Sequence, residues 1–138
     1  MITVAATDLH ALAAAAEAAY PNEACGLLEG RTESHGIVVV RVHLSRNVAA
    51  SSATRFEVDP RLILRLHREL REGSTRVVAV WHSHTNGRSQ PSATDLASAY
   101  EPELIWVITP VAAGRAGAPA AFQLLEGKGF VSVPLSTS

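Results

Sequence analysis

The sequence predicts an α/β or α+β fold, a sandwich around a largely β core. Three observations carry that expectation. Short apolar runs rich in Val, Ile and Leu recur along the chain, over 24–28, 37–44, 77–84 and 104–109. Two stretches between them carry helix start and stop signals instead. The length of 138 residues, with 47% hydrophobic side chains, suits one domain around one core.

Each element follows from local chemistry. Ile2 to Val4 reads as a short edge strand. Thr7 or Asp8 can cap a helix that runs to about Tyr20, where Pro21 ends it. Ala24 to Leu28 is a short buried strand closed by Gly30. Ile37 to Leu44 is its hairpin partner across the polar turn Arg31 to Gly36. Phe56 to Val58 reads as a brief strand. Asp59 and Pro60 then start a second helix, as N-cap and first helical residue. Leu62, Ile63, Leu66 and Leu70 line one side of it, and Gly73 ends it. The Val77–His84 strand is followed by a polar loop through Pro91 and a short helix from near Ser92. Leu104 to Thr109 is another strand, and Val111 to Pro119 a Gly/Ala-rich loop. Phe122–Leu125 and Phe130–Val133 form a terminal hairpin across Gly127-Lys128-Gly129. No internal repeat, linker or second domain is expected.

Charge and composition exclude several function classes. The formal net charge is -1 and Lys and Arg do not cluster, so there is no electrostatic footprint for nucleic acid. The alanine-rich run 11–19 is too short to span a membrane and contains Glu17. The N-terminus lacks the basic start of a signal peptide. A single cysteine, Cys25, rules out an internal disulfide and fits a reducing compartment. A soluble cytoplasmic protein is expected.

The chemistry concentrates where the most apolar strand ends. His82 and His84 are two residues apart on that strand, so both imidazoles face one way. Asp95 follows eleven residues after His84. Two imidazoles and a carboxylate suit one divalent metal, and three protein ligands leave the open position that catalytic zinc needs. A plainer reading competes: Ser92-x-x-Asp95 is also a capping box, in which Asp95 folds back on its own helix start. A hydrolytic site further needs a general base. Glu23, Glu29 and Glu57 all lie near strand ends, and spacing alone does not choose among them.

Taken together, Glu23, His82-Ser83-His84, Pro91-Ser92 and Asp95 resemble the JAMM (MPN+, Mov34/PAD-1) metalloprotease signature. Tyr20-Pro21-Asn22-Glu23-Ala24-Cys25-Gly26-Leu27-Leu28 is similar to the segment that carries that family's glutamate. The resemblance covers nearly the whole chain in order. It implies an MPN/JAB-like mixed β-sheet core, partly barrel-like, flanked by two main helices and a short metal-site helix. It implies one Zn²⁺ per chain on His82, His84 and Asp95, Glu23 as general base, and Ser92 helping to stabilise the oxyanion. Ser83 would face the other way and be structural. The implied substrate is the amide bond after the C-terminal Gly-Gly of a ubiquitin-like or sulfur-carrier protein. Small acylated amino acids, or a non-catalytic interaction role, are the alternatives. A homodimer is left open.

One position departs from the eukaryotic pattern: Thr85 stands where deubiquitinating members usually have Pro. His-Ser-His-Thr with Glu-Ala-Cys-Gly upstream looks closer to small bacterial members, including a peptidase that releases cysteine from a sulfur carrier. Among the remaining residues, Cys25 and Trp81 are expected in the core. Asn47 is expected in a turn or lining a substrate groove, and Arg88 and Ser89 in the loop between ligands. His10, His35, His43 and His67 are expected at the surface.

Overall fold

The computed structural model describes residues 1–92, 95 and 103–138. The elements run β1 (Ile2–Val4), α1 (Ala6–Ala19), β2 (Cys25–Glu33), β3 (Gly36–Ser45), α2 (Pro60–Leu70), β4 (Arg76–His84), β5 (Ile105–Ala112), β6 (Arg115–Ala116), β7 (Ala120–Leu125), β8 (Gly129–Val133) and β9 (Leu135–Thr137). One mixed sheet orders its strands β8-β7-β5-β4-β2-β3-β1-β9, with β6 paired to β5. β8 and β9 stand at opposite ends of that order, yet only Pro134 separates them in the chain. The sheet therefore curls until its ends nearly meet, which gives the partly barrel-like core.

Each face of the sheet has its own core. On one, α1 lays Leu12 and Ala16 against Ile2, Val4, Leu28, Val78, Trp81 and Val107. On the other, α2 lays Leu62 and Leu66 against Cys25, Leu27, Val80, Trp106, Ile108 and Phe122. Strand alternation explains the division from Ala79 onward: Ala79 and Trp81 face α1, whereas Val80 and His82 face α2, and the register shift against Leu28 and Glu29 puts Val78 with the α1 core. Burying apolar side chains on both faces leaves the central strands continuously hydrophobic rather than alternating.

The second helix starts as its sequence predicts. The Asp59 carboxylate accepts from the Arg61 amide at 2.9 Å, and Pro60 occupies the first turn. The first helix begins earlier than Thr7 or Asp8, with Ala5 at its N-cap and no side-chain cap there. The hairpin β2–β3 and the terminal hairpin β7–β8 are present.

Several expectations are corrected. β1 is not an edge strand, because β3 and β9 both pair with it in parallel. No Phe56–Val58 strand forms; a single bridge joins Val58 to Asn47. Ile63 is 47% exposed, since α2 turns only Leu62 and Leu66 fully inward. The segment after Thr109 is not a plain loop: β5 continues to Ala112 and folds back through β6. The positive φ of Ala113 and Gly114 makes that tight reversal. The strand β9 had no sequence signal beyond Leu135. The predicted short helix after Ser92 lies mostly outside the described residues.

Candidate metal centre

The site forms where β2 begins beside the end of β4. Cys25 pairs with His82 and Gly26 with Trp81 in antiparallel register. Gly26 permits the close approach of β3, for a Cβ there would lie 2.5 Å from the His43 carbonyl oxygen. Ser83, turned away from its two histidine neighbours, is fully buried and structural. Its hydroxyl accepts from the Ala24 amide at 2.8 Å, and its own amide donates to the Ala24 carbonyl at 3.0 Å. Those two bonds pin the residue after Glu23 to the residue between the histidines.

His82, His84 and Asp95 converge, all buried. The two Nε2 atoms are 3.1 Å apart. Asp95 Oδ2 lies 2.8 Å from His84 Nε2, and both carboxylate oxygens lie 3.3 Å from His82 Nε2. His84 Nδ1 sits 3.0 Å from the Arg88 carbonyl. A carbonyl can only accept, so Nδ1 carries a proton, and in the neutral ring Nε2 presents its lone pair. Two imidazole nitrogens and a carboxylate oxygen thus crowd their electron pairs into one small volume. Protons on the imidazoles can relieve part of that repulsion, and a divalent cation relieves all of it. The donor set, two nitrogens and one oxygen, is one that zinc accepts.

The capping and ligand readings of Asp95 turn out to be compatible. Its amide donates to Ser92 Oγ at 3.0 Å, and its Oδ2 accepts from the Ser92 amide at 2.9 Å. This reciprocal capping pair aims the carboxylate at the imidazoles instead of competing with them. Ser92 itself is exposed, and its hydroxyl keeps its own proton to donate.

Electrostatics separate the four ionisable groups. Burial pushes Asp95 upward, but the two imidazoles and the Ser92 amide outweigh it, and the carboxyl sits well below the usual range. His82 is wholly buried, and loss of solvation holds it below an ordinary imidazole despite Asp95. Burial also pushes His84 down, but Asp95 and then Glu23 raise it above the ordinary value. Glu23 is pushed up to about 7, chiefly by burial, with His84 opposing and Asp95 adding. Its Oε1 has no hydrogen-bond partner among the described residues.

The other candidate bases separate cleanly. Glu29 is buried but in the middle of β2, bonded to Arg41, His43 and Thr75. Glu57 is exposed. The same contact corrects the expectation for His43, which is only 14% exposed and lies 2.8 Å from Glu29. His10, His35 and His67 are at the surface and Cys25 and Trp81 are buried.

Sequence reading missed the aromatic surroundings. Phe56 stacks on His82 with ring centres 4.1 Å apart and planes 14° from parallel, and Trp106 meets His82 edge-on at 5.4 Å. His82 Nδ1 has no partner among the described residues, so packing, not a second hydrogen bond, orients that ring. Phe56 lies in the loop after β3, and no local sequence pattern points from there to a histidine on β4. Arg88 contributes its carbonyl, whereas its side chain is exposed.

Residues 6–124 match the family model of prokaryotic homologs of the JAB domain. The chain belongs to that family. It is 30% identical over 108 residues to the CysO-cysteine peptidase of Mycobacterium tuberculosis, covering 78% of this chain and 72% of that protein. It is 33% identical over 115 residues to a probable TtuB-protein conjugate cleaving protease of Thermus thermophilus, covering 83% and 70%. Among solved structures, a Desulfitobacterium hafniense protein superposes with a TM-score of 0.86 at 29% identity, over 100% of this chain and 93% of that one. A JAB1/MPN domain protein of Archaeoglobus fulgidus superposes with a TM-score of 0.62 at 16% identity, over 100% and 97%. The fold is that of the JAB/MPN proteins, and relatives named as peptidases support hydrolase activity.

Proposed function

We propose that this JAB-domain protein is a zinc-dependent metallopeptidase. Its substrate is the amide bond after the C-terminal Gly-Gly of a ubiquitin-like or sulfur-carrier protein. One observation carries the reading: three buried donor atoms converge, and beside them stands a buried glutamate with one oxygen unpartnered among the described residues. Relatives named CysO-cysteine peptidase and probable TtuB-protein conjugate cleaving protease supply the substrate class.

His82, His84 and Asp95 would hold one zinc ion. When bound, it would act as a Lewis acid toward the scissile carbonyl and acidify a water molecule. Glu23 takes the proton from the attacking water. Burial favours the protonated carboxyl and a cation on the neighbouring ligands would favour the carboxylate, so the same group can take the proton and then return it to the leaving amine. The Ser92 hydroxyl donates to the developing oxyanion. Trp106 and Phe56 keep water away from the His82 ring. The chain works as one domain in the cytoplasm; among the described residues no helix is long and apolar enough to cross a membrane.

The test uses purified protein and a carrier ending in Gly-Gly, joined to cysteine or to a lysine side chain. Zinc should copurify at about one ion per chain. Chelation should abolish cleavage and added zinc restore it. A chain that cleaves at full rate with its zinc removed would refute the metallopeptidase reading.

A further inference from the structure

The loop between β3 and α2, residues 46–58, touches both halves of the site without supplying a ligand or the base. Asn47 organises it. Its amide nitrogen donates to the carbonyls of Glu23 and Arg55, each at 2.9 Å, and its oxygen accepts from the amides of Ala49 and Glu57, each at 3.0 Å. That is the complete hydrogen-bonding capacity of an asparagine side chain. Glu23 is held a second time, because its own amide donates to the Ser52 carbonyl at 2.7 Å. The loop therefore grips the backbone of Glu23 on both sides, while one carboxylate oxygen has no partner among the described residues.

The same loop reaches the ligand strand. The Thr85 hydroxyl, one residue beyond His84, donates to the Ala53 carbonyl at 3.0 Å. The Phe56 ring stacks on His82. Direct pairing already joins β2's start to β4's end, and a loop fastened at Glu23, His82 and Thr85 adds a second tie that reaches Glu23 itself.

We propose that Asn47 is a positioning residue for the Glu23 base, and that the 46–58 loop is a clamp that registers this base against the histidine pair. Thr85 closes the clamp from the ligand side. The catalytic consequence rests on the metallopeptidase reading; the mechanical coupling does not. Displacing a base by about 1 Å is enough to cost on the order of a hundredfold in rate, so a backbone clamp matters to chemistry even without touching substrate.

The experiment compares wild type with Asn47→Ala, Thr85→Val and Thr85→Ser. Amide hydrogen exchange at Glu23 is followed in metal-free protein, and kcat, KM and the pH profile in zinc-loaded protein. Asn47→Ala should speed exchange at Glu23 about tenfold and lower kcat about tenfold, with KM changed less than about twofold. Thr85→Val should do the same more weakly, and Thr85→Ser, which keeps the hydroxyl, should match wild type. Should Asn47→Ala fail to fold, the Thr85 pair carries the test alone. Unchanged exchange and kcat in Thr85→Val, with an active wild type, would overturn the clamp and leave the peptidase reading intact. A wild type that binds no zinc and cleaves nothing would overturn the peptidase reading and the catalytic role of Asn47. Faster exchange at Glu23 would then still establish the mechanical coupling.

Discussion

Two buried glutamates on one strand segment have opposite fates. Glu23, just before β2, is 5% exposed, and Glu29, within β2, is 3% exposed. Both sit near an imidazole. Glu29 accepts from Thr75 Oγ1 at 2.6 Å and Arg41 Nη1 at 3.1 Å, and lies 2.8 Å from His43 Nε2. Burial alone would raise it, but those three partners outweigh burial and hold it below the usual carboxylate value. Glu23 has the burial but no partner for its Oε1 among the described residues, and it rises to about 7. Burial is therefore common to both, and satisfaction of the oxygens decides which carboxylate is structural and which can exchange a proton.

The largest effect that tests this contrast is on the reaction. Glu23→Gln should lower kcat by about 10²–10⁴ while zinc content stays at the wild-type level. Glu29→Gln should leave kcat within about twofold of wild type in the protein that folds. Equal losses in the two variants would erase the distinction. Next in size is the metal. His84→Ala removes a donor whose Nδ1 is fixed by the Arg88 carbonyl. Its zinc affinity, measured by competition with a chelator, should fall by more than the 10–100-fold expected for losing an outer-shell partner.

Stability should then depend on pH with opposite signs for the two groups. Glu29 has a lowered folded-state pKa. Its contribution is present above the unfolded-state value near 4.5 and is lost as pH falls through the folded value. Glu23 has a raised one, so the metal-free chain is favoured below about 4.5 and loses that advantage as pH rises through about 7. Denaturant unfolding of metal-free protein at pH 8 should therefore find Glu23→Gln more stable than wild type by about 2 kcal/mol, after allowing for solvent screening. Glu29→Gln should be less stable by about 1–3 kcal/mol. The Glu23→Gln gain should vanish at pH 4. A loss of stability in Glu23→Gln at pH 8 would contradict the raised pKa.

What was legible in the sequence follows the range of the interactions. Asp59-Pro60 announced α2, and the Val-rich runs announced the central strands, because caps and apolar runs are local signals. His82 and His84 could be placed on one face from strand period alone, and Ser92-x-x-Asp95 from helix-start spacing. Choosing Glu23 over Glu29 needed the family resemblance, since both precede or occupy β2 and only tertiary partners separate them. β9 and the parallel neighbours of β1 were not legible, because sheet closure joins residues 2–4 to 135–137. The partners of Phe56 and Asn47 were hidden for the same reason: His82 and Glu23 lie 26 and 24 residues away, beyond α2 in one case and the β2–β3 hairpin in the other.

Cys25 gives the smallest effect and sharpens the comparison most narrowly. Burial pushes its thiol up to about 11, the same first cause that raises Glu23. If a raised pKa by itself marked a reactive group, Cys25 would be as strong a candidate as Glu23. Geometry says otherwise. Its Sγ is directed at the Arg46 and Glu57 carbonyls, at 3.7 and 3.9 Å, and packs in the core beside Leu27 and Val80. A thiol with that pKa holds almost no thiolate at pH 7.5, and the thiolate is the nucleophile. A maleimide reagent should therefore label native protein far more slowly than denatured protein. Cys25→Ala should cost about 1–2 kcal/mol of stability through the lost sulfur packing and leave kcat within about threefold. Rapid labelling of native protein, accompanied by loss of cleavage, would show that burial at this strand start is looser than the packing of Cys25 implies. Glu23 would then stand in a wetter site, and the explanation of its raised pKa would fall with it.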